Sequence, residues 1–557
     1  MMRNSSKKIA VMFAVIISIA IIFLVIYKLK DDSIETSNNL NVEYDNDKNN
    51  FTDTQEYKDY LSGIDDNNTV STENKTDYSK IWFDLDKDNV NDYELEIADL
   101  IDDKPIDPIL TNMSLVKHKY MNEYTYDLNL SEEYGKLKLT FHEVIDSGIL
   151  YYVEYIPYNK KSKSLSFSIE ASKADSISVT EGYYENHVIK YNIHDVTSSQ
   201  NFNNIFNLVD GDKNHIMLGR VFLEKDIGET VKSVTKIKQD NSIIMDDKNT
   251  YRYVLPVKNG YSTKVNGMVA LNNLINDKSV QFNLATLSAL DLADVKYVWA
   301  DGIYYDNPST YKPSAKNDFY RTACGTHMRG CYWVLDQGSI FTTYGVSLMY
   351  TYADLYNDKN YIPTVPRSDW LYDDYKINGE FYDTRFNTDT ISSFLHMQEV
   401  YPDEKIKEVL DEYFEFYIDF VDNNSFYLDG NIFIADYMDY DGNEIMPHCS
   451  LNHMLSEMTV MYRYHLLYQD DKLFDLAEKF LHSIMNTKDN WIKPNGDLYY
   501  CITKDGEYTR QDYKLVTLND LDRAKYYLKL IYKEVPDDYM VIYNSKKDWA
   551  VKNGYKN

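Results

Sequence analysis

The sequence predicts an α+β multidomain protein: a β-sandwich or barrel, then an α/α helical toroid-like domain, both behind an N-terminal transmembrane helix. Three observations predict it. A long apolar run opens the chain, short alternating segments fill residues 117–298, and the apolar spacing changes to three and four across 299–557. With 557 residues there is length for several domains and a large core.

The apolar run, Ile9 to Tyr27, is interrupted only by Ser18. At about 1.5 Å per helical residue it nearly spans the roughly 30 Å hydrocarbon layer. Arg3, Lys7 and Lys8 precede it, whereas Lys28 and Lys30 are followed at once by Asp31 and Asp32, so the basic excess sets the N-terminus inside. The exit, Val25 to Lys30, lacks a small-x-small cleavage pattern, which favours a retained anchor over a removed signal. The expectation is a single-pass cell-membrane protein with a cytoplasmic stub over 1–8, the anchor over 9–29 and its C-terminal domains outside. Residues 30–79 are dominated by Asp, Asn, Ser, Thr and Glu and cannot bury enough surface to offset ordering, so they read as a disordered acidic tether.

A connector follows over 80–116. In it Asp84, Asp86, Asp88 and Asp92 crowd carboxylates at alternate positions of a short loop, a set that hard Ca²⁺ would neutralise. The spacing resembles thrombospondin type 3 calcium repeats, with Asn89 where those have glycine. A structural calcium and a solvated acidic turn both remain open; no cofactor is expected for catalysis.

In the β-rich region the alternating segments are Lys136–Phe141, Leu150–Tyr155, Leu165–Glu170, Ser176–Thr180, Val188–Ile193, Met217–Glu224 and Arg252–Pro256, parted by turn-formers such as Asp210-Gly-Asp. Its histidines are scattered without ligand spacing. In the last region, helical spacing runs through Val346–Tyr356, Thr390–Val400, Ile406–Val421, Leu451–Tyr468, Leu473–Met485 and Asn519–Tyr532. Paired helices with inward apolar faces suggest a bundle or toroid.

Composition narrows the partners. Acids outnumber bases, 88 to 58, for a formal charge of −30, which excludes a basic nucleic-acid binder that would need to displace counterions. The 53 tyrosines suit both wet clefts and β-rich cores.

Four segments of the helical region carry a resemblance. Ala435-Asp436-Tyr437-Met438 is followed by Ser450-Leu451-Asn452-His453, then by Gly496-Asp497-Leu498-Tyr499-Tyr500, then by Arg510-Gln511-Asp512-Tyr513 with Leu518-Asn519-Asp520-Leu521. In order and approximate spacing they resemble the C-terminal domain of the D-glucuronyl C5-epimerases. The resemblance implies inversion at C5 of hexuronates within a polysaccharide, by proton removal on one sugar face and return on the other. It implies acid and base roles for Tyr437, Tyr499 and Tyr513, with Asp436 steering or relieving Tyr437. Arg510, Asn452, Asp512 and Asn519 become substrate contacts, with Arg510 suited to clamp a carboxylate. The helix from Gly345 to Asp358 is similar, more weakly, to an earlier family helix, and adds Tyr344. Met438, His453, Lys514 and Thr517 depart from the family pattern.

Arg321 to Gly338 is the densest cluster of functional groups outside those motifs. His327, Arg329 and Asp336 in it are expected to line the sugar cleft. Cys324 and Cys331 read as a bridged loop, as free thiols or as part of a zinc site. The expected partner is a uronic-acid-containing polysaccharide, and a homodimer stays open. A polysaccharide lyase, a hydrolase using paired carboxylates such as Asp336 and Asp436, and a non-catalytic glycan-binding protein are the competing readings.

Overall fold

The computed structural model describes residues 78–555, apart from 175–176, 186–187, 203–205, 213, 238–240, 277–295, 315–316, 326–327, 329–330 and 333. Strands run from Lys80–Phe83 to Asp318–Arg321 and build two antiparallel sheets. The smaller has six strands in the spatial order Lys80–Phe83, Tyr93–Asp99, Leu165–Ala171, Asn249–Leu255, Asn241–Met245 and Gln200–Phe202. The larger has thirteen, with Gly148–Pro157, Ser262–Ala270 and His215–Asp226 side by side at its centre.

The larger sheet is covered on both faces, and its central strands show why. Gly148–Pro157 is buried almost continuously over Gly148–Val153, as expected where neither face meets water. Its alternate side chains enter different cores. Tyr151 and Val153 pack with Leu95, Phe167 and Tyr253 between the two sheets. Leu150 and Tyr152 pack instead with Phe341, Tyr344 and Trp299 against the helical half.

The helices among the described residues are α1 (Ser339–Ala353), α2 (Asp369–Tyr375), α3 (Thr384–Val400), α4 (Glu404–Asn423), α5 (Leu451–Tyr468), α6 (Asp471–Asn486), α7 (Lys488–Trp491), α8 (Val516–Tyr532) and α9 (Asp537–Lys552). Helix α1 joins the halves. It is buried on nearly every side, and its Ser347 Oγ lies 2.7 Å from Nδ1 of His142 on the large sheet. Helix α5 is the centre of the helical half: all residues from Leu451 to Tyr464 are buried, and α3, α6 and α8 pack on it, the all-round burial that marks an interior helix. Around it α6 buries Leu473, Leu476, Ala477, Phe480, Leu481 and Ile484, one apolar stripe at helical spacing. Asp470 caps it by accepting the Leu473 N–H at 2.9 Å.

The expected fold class is corrected. The chain is sheet-rich, and even its helical half carries short sheets: Tyr382–Asp383 with Tyr437–Met438, Ser425–Leu428 with Asn431–Ile434, and Cys449–Ser450, Tyr499–Ile502 and Tyr508–Gln511 together. These pairings are too short for period-two alternation to register in the sequence. No helix among the described residues is long and apolar enough to cross a membrane. Ile9 to Tyr27 lies outside the described residues, so the expected transmembrane anchor, the single-pass membrane localisation and the membrane partnership find no support in the structure. Helix α9 went unread because its buried positions, Tyr539, Ile542, Tyr543, Lys546 and Ala550, include a lysine and tyrosines.

Candidate active site

A cavity of about 450 Å³ opens where α2, α3, the start of α5 and the segment before α8 meet. Its floor rests on a two-stranded sheet with only two residues in each strand. Asp383 and Tyr437 are cross-strand partners in the ladder of Tyr382–Asp383 with Tyr437–Met438, and both line the cavity. Asp383 is also the N-cap of α3, its carboxylate accepting the Phe386 N–H at 3.0 Å. Burial pushes its carboxyl up to about 7, against the pull of that N–H, and the nearby Asp436 charge adds to the rise. Burial likewise holds the Tyr437 phenol well above its ordinary range, so it stays protonated at neutral pH.

Beneath the floor, Asp436 is fully buried. It accepts from Ser450 N at 2.7 Å and Ser450 Oγ at 2.5 Å. His448 Nε2 lies 3.2 Å and His453 Nε2 3.7 Å from its Oδ2. Burial would raise its pKa, but the two imidazoles and the hydrogen bonds outweigh that and hold it below the usual carboxylate value. His453 lines the cavity and has Nδ1 2.7 Å from Thr384 Oγ1; burial lowers it to about 4, so the ring is neutral.

Arg385 is a cation in the lining, and it is committed. Its Nε donates to Asp389 Oδ2 at 3.0 Å, and Nη1 and Nη2 donate to Asp520 at 2.5 and 2.9 Å. Nη1 also reaches Asn452 O at 3.1 Å. Asn452 is buried beside it, and its side-chain Oδ1 has no hydrogen-bond partner among the described residues. Aromatic surface completes the walls: Trp370, Tyr311, Phe381, Tyr500 and Tyr513.

The sequence-predicted residues divide. Tyr437, Asn452 and Tyr513, from three separate motifs, line one cavity, and Asp436 supports its floor. Burial raises the Tyr513 phenol, helped by the Asp383 and Asp436 charges. Arg510 sits near the cavity wall, its guanidinium 5.2 Å from the Trp370 ring and 2.9 Å from Asp374. Tyr499 is turned away from the cavity: along Tyr499–Ile502 neighbouring side chains point to opposite faces, and it is Tyr500 that lines the cavity. Asp512 is buried 2.6 Å from Lys546 Nζ. Asn519 is exposed on α8, Asp336 is exposed in the turn Leu335–Gln337, and Tyr344 is in the core with its hydroxyl 3.9 Å from Met217 Sδ. None of these four is in the lining. His327 and Arg329 lie outside the described residues. Of the two acids of the expected hydrolase pair, Asp336 is exposed away from the cavity and Asp436 is sealed under it.

Asp383, Arg385, Asp389, Trp370 and Tyr500 were not singled out from the sequence. The one readable signal was the cap: an Asp followed by Thr384 at the head of a helical run. Among the described residues Cys324, Cys331, Cys449 and Cys501 form no disulfide, so the expected Cys324–Cys331 bridge is not made. In the acidic loop, one carboxylate oxygen each from Asp84, Asp86 and Asp88 lies within 4.8 Å of the others. Asp92 instead accepts the Leu85 N–H at 2.7 Å and closes the loop. Asn89 has φ 68°, the left-handed backbone that makes glycine or asparagine the natural residue there.

No protein-family model matches the chain, and no curated protein matches it in sequence. Solved structures with partial likeness include cellobiose 2-epimerase from Bacillus thermoamylovorans, 11% identical over 49% of this chain and 68% of that one, with a TM-score of 0.33. A D-mannose isomerase is 12% identical over 40% of this chain, which spans 60% of the isomerase, with a TM-score of 0.30. A family 76 glycoside hydrolase from a bovine Bacteroides thetaiotaomicron strain is 10% identical over 80% of this chain and 78% of its own, with a TM-score of 0.35. These neighbours are sugar-processing enzymes, but likeness at such scores does not fix the fold or the chemistry of this chain.

Proposed function

We propose that the protein is a carbohydrate-active enzyme and that the cavity inverts C5 of a hexuronate in a polysaccharide. One observation carries the reading: Asp383, with its carboxyl raised to about 7, stands directly across a two-residue ladder from Tyr437 in an aromatic-walled cavity. A group whose pKa lies near the working pH is suited to both take and give a proton. Above about 7 Asp383 is ionised and is the base for H5. Tyr437 and Tyr513, kept protonated by burial, are the acids that return a proton. Each starts as the neutral phenol; the tyrosinate left by donation regains a proton from solvent as product leaves, and Asp383 gives the H5 proton up to solvent. The aromatic walls offer flat faces to sugar rings, and Asn452 Oδ1 is a buried acceptor suited to a sugar hydroxyl. Removing H5 loads charge on a group that already bears a carboxylate. Arg385 is engaged by two acids, so Arg510, exchanging Asp374 for the uronate, is the cation assigned to it.

Incubation with uronate polymers in D₂O tests the reading. Deuterium at C5 without chain shortening is expected, and absence of deuterium on every hexuronate polymer tried would overturn it. A second reading is glycoside hydrolysis, favoured by the presence of two carboxyl groups, Asp383 and Asp389, in the same lining. It predicts new reducing ends and no exchange at C5. For the acidic loop we propose a structural calcium held by Asp84, Asp86 and Asp88, remote from catalysis.

A further inference from the structure

The segment from Arg510 to Tyr513 brings two groups to the cavity, the Tyr513 ring in its lining and the Arg510 guanidinium beside Trp370. Its backbone is not at rest. Arg510 has φ 64°, the left-handed region that a side chain larger than Asn or Asp rarely adopts. Such a conformation persists only where the surroundings over-determine it.

The surroundings here are two lysines and two carboxylates. Lys546, from α9, donates to Tyr513 O at 2.6 Å and to Asp497 Oδ1 at 2.7 Å, and its Nζ is 2.6 Å from Asp512 Oδ2. Lys493 donates to Arg510 O at 3.0 Å and to Gln511 Oε1 at 3.1 Å. The Gln511 amide in turn donates to Asp497 Oδ2. Every residue of the segment is therefore held by one of the two lysines. The grip is deep: the side chains of Lys546 and Asp497 are 0% exposed and that of Asp512 is 1% exposed. A lysine is seldom buried to this degree, and only when paired. None of Lys546, Asp497, Asp512 and Lys493 lines the cavity.

We infer that Lys546 is a positioning residue: from α9 it locks the Asp512–Tyr513 end of the segment that turns at the left-handed Arg510, and so sets Tyr513, and with it Arg510, at the cavity. The consequence for saccharide handling rests on the function proposed above; the lock itself does not. A lysine that merely stabilised the domain would act on all of it alike, whereas a lock acts on one segment.

The experiment uses the full chain, wild type against Lys546→Met. Because that variant leaves two buried carboxylates facing each other, a Lys546→Met, Asp497→Asn, Asp512→Asn triple variant is made beside it to restore a folded protein without the lock. Hydrogen exchange followed by mass spectrometry is read over residues 508–515 and over α5. At least tenfold faster exchange in 508–515, with α5 unchanged, is expected in whichever variant is folded. Unchanged exchange in 508–515, or an equal rise across α5, overturns the inference. Turnover of a hexuronate polymer is measured alongside, at a temperature where each variant keeps its native circular dichroism. A fall of at least tenfold in kcat/KM, partly rescued by Lys546→Arg, is expected; wild-type kcat/KM in a folded variant also overturns it. If wild type itself turns over no such polymer, the functional reading fails and the exchange measurement still decides the lock.

Discussion

Arg385 and Asp520 are joined by two parallel hydrogen bonds, Nη1 to Oδ2 at 2.5 Å and Nη2 to Oδ1 at 2.9 Å, linking the head of α3 to α8 behind the cavity wall. Both side chains are largely buried, 14% and 2% exposed. Removing one partner strands the other's charge, so Arg385→Met and Asp520→Leu should each cost on the order of 3–5 kcal/mol. The double variant should recover part of that loss, the remainder being Asp389, which still loses its bond to Arg385. Urea midpoints of the two single variants and the double variant check this; additive losses would contradict it.

Turnover should hang on single hydroxyls and a carboxyl. Tyr437→Phe removes one oxygen from a buried ring that keeps its packing against Trp370 and Phe381. It should lower kcat by roughly 10²–10⁴ fold while moving the thermal midpoint little. An active Tyr437→Phe enzyme would remove this phenol from the chemistry.

Asp383 makes stability depend on pH in a defined direction. Its folded value, about 7, lies above the ordinary aspartate value of 3.8. Below 3.8 the group is protonated folded and unfolded, and its full contribution is present. As pH rises through 7 the unfolded chain releases the proton more readily, and the contribution is lost. Asp383→Asn keeps an N-cap and removes the titration, so its stability relative to wild type should improve between pH 4 and 8 by on the order of 4 kcal/mol. His453 runs the other way: lowered to about 4, it contributes stability above its ordinary 6.5 that is lost as pH falls through 4. Guanidinium unfolding of wild type, Asp383→Asn and His453→Gln across this range reads both signs.

The unpartnered Asn452 Oδ1 predicts a trade between stability and binding. A buried polar atom left without a partner costs about 1–3 kcal/mol. Asn452→Leu, close in shape, should therefore leave the protein as stable or more so while weakening saccharide binding at least tenfold. Calorimetric titration with a uronate oligosaccharide and a thermal melt together test it; a destabilised variant with intact binding would refute it.

For the acidic loop, calcium at roughly 0.1–1 mM, the range of weak extracellular modules, should raise the melting temperature by mass action. Asp86→Asn with Asp88→Asn should abolish that rise. A melting curve indifferent to calcium would leave the loop a solvated turn.

Much of the frame was legible in the residues. Helices α4 and α6 announce themselves by period, because each commits many residues to one buried face. Tyr437, Asn452 and Tyr513 were legible for a different reason, as parts of motifs whose order resembles that of a known domain. Tyr499 and Tyr500 were not separable, since adjacent strand residues differ only in the face they take, and a register of one decides which tyrosine meets the cavity.

The sequence by itself determined the change from alternating strands to helices, the acidic balance, and the motifs that name three residues of the cavity. Only the tertiary structure decided that Asp383 is the carboxyl beside Tyr437, because their pairing spans a two-residue ladder between segments far apart in the chain. It also decided that Asp512 answers to a lysine and not to the cavity lining. Periodicity reports which face of an element is apolar; it carries no record of which distant charge a buried carboxylate must find, and burial makes finding one obligatory.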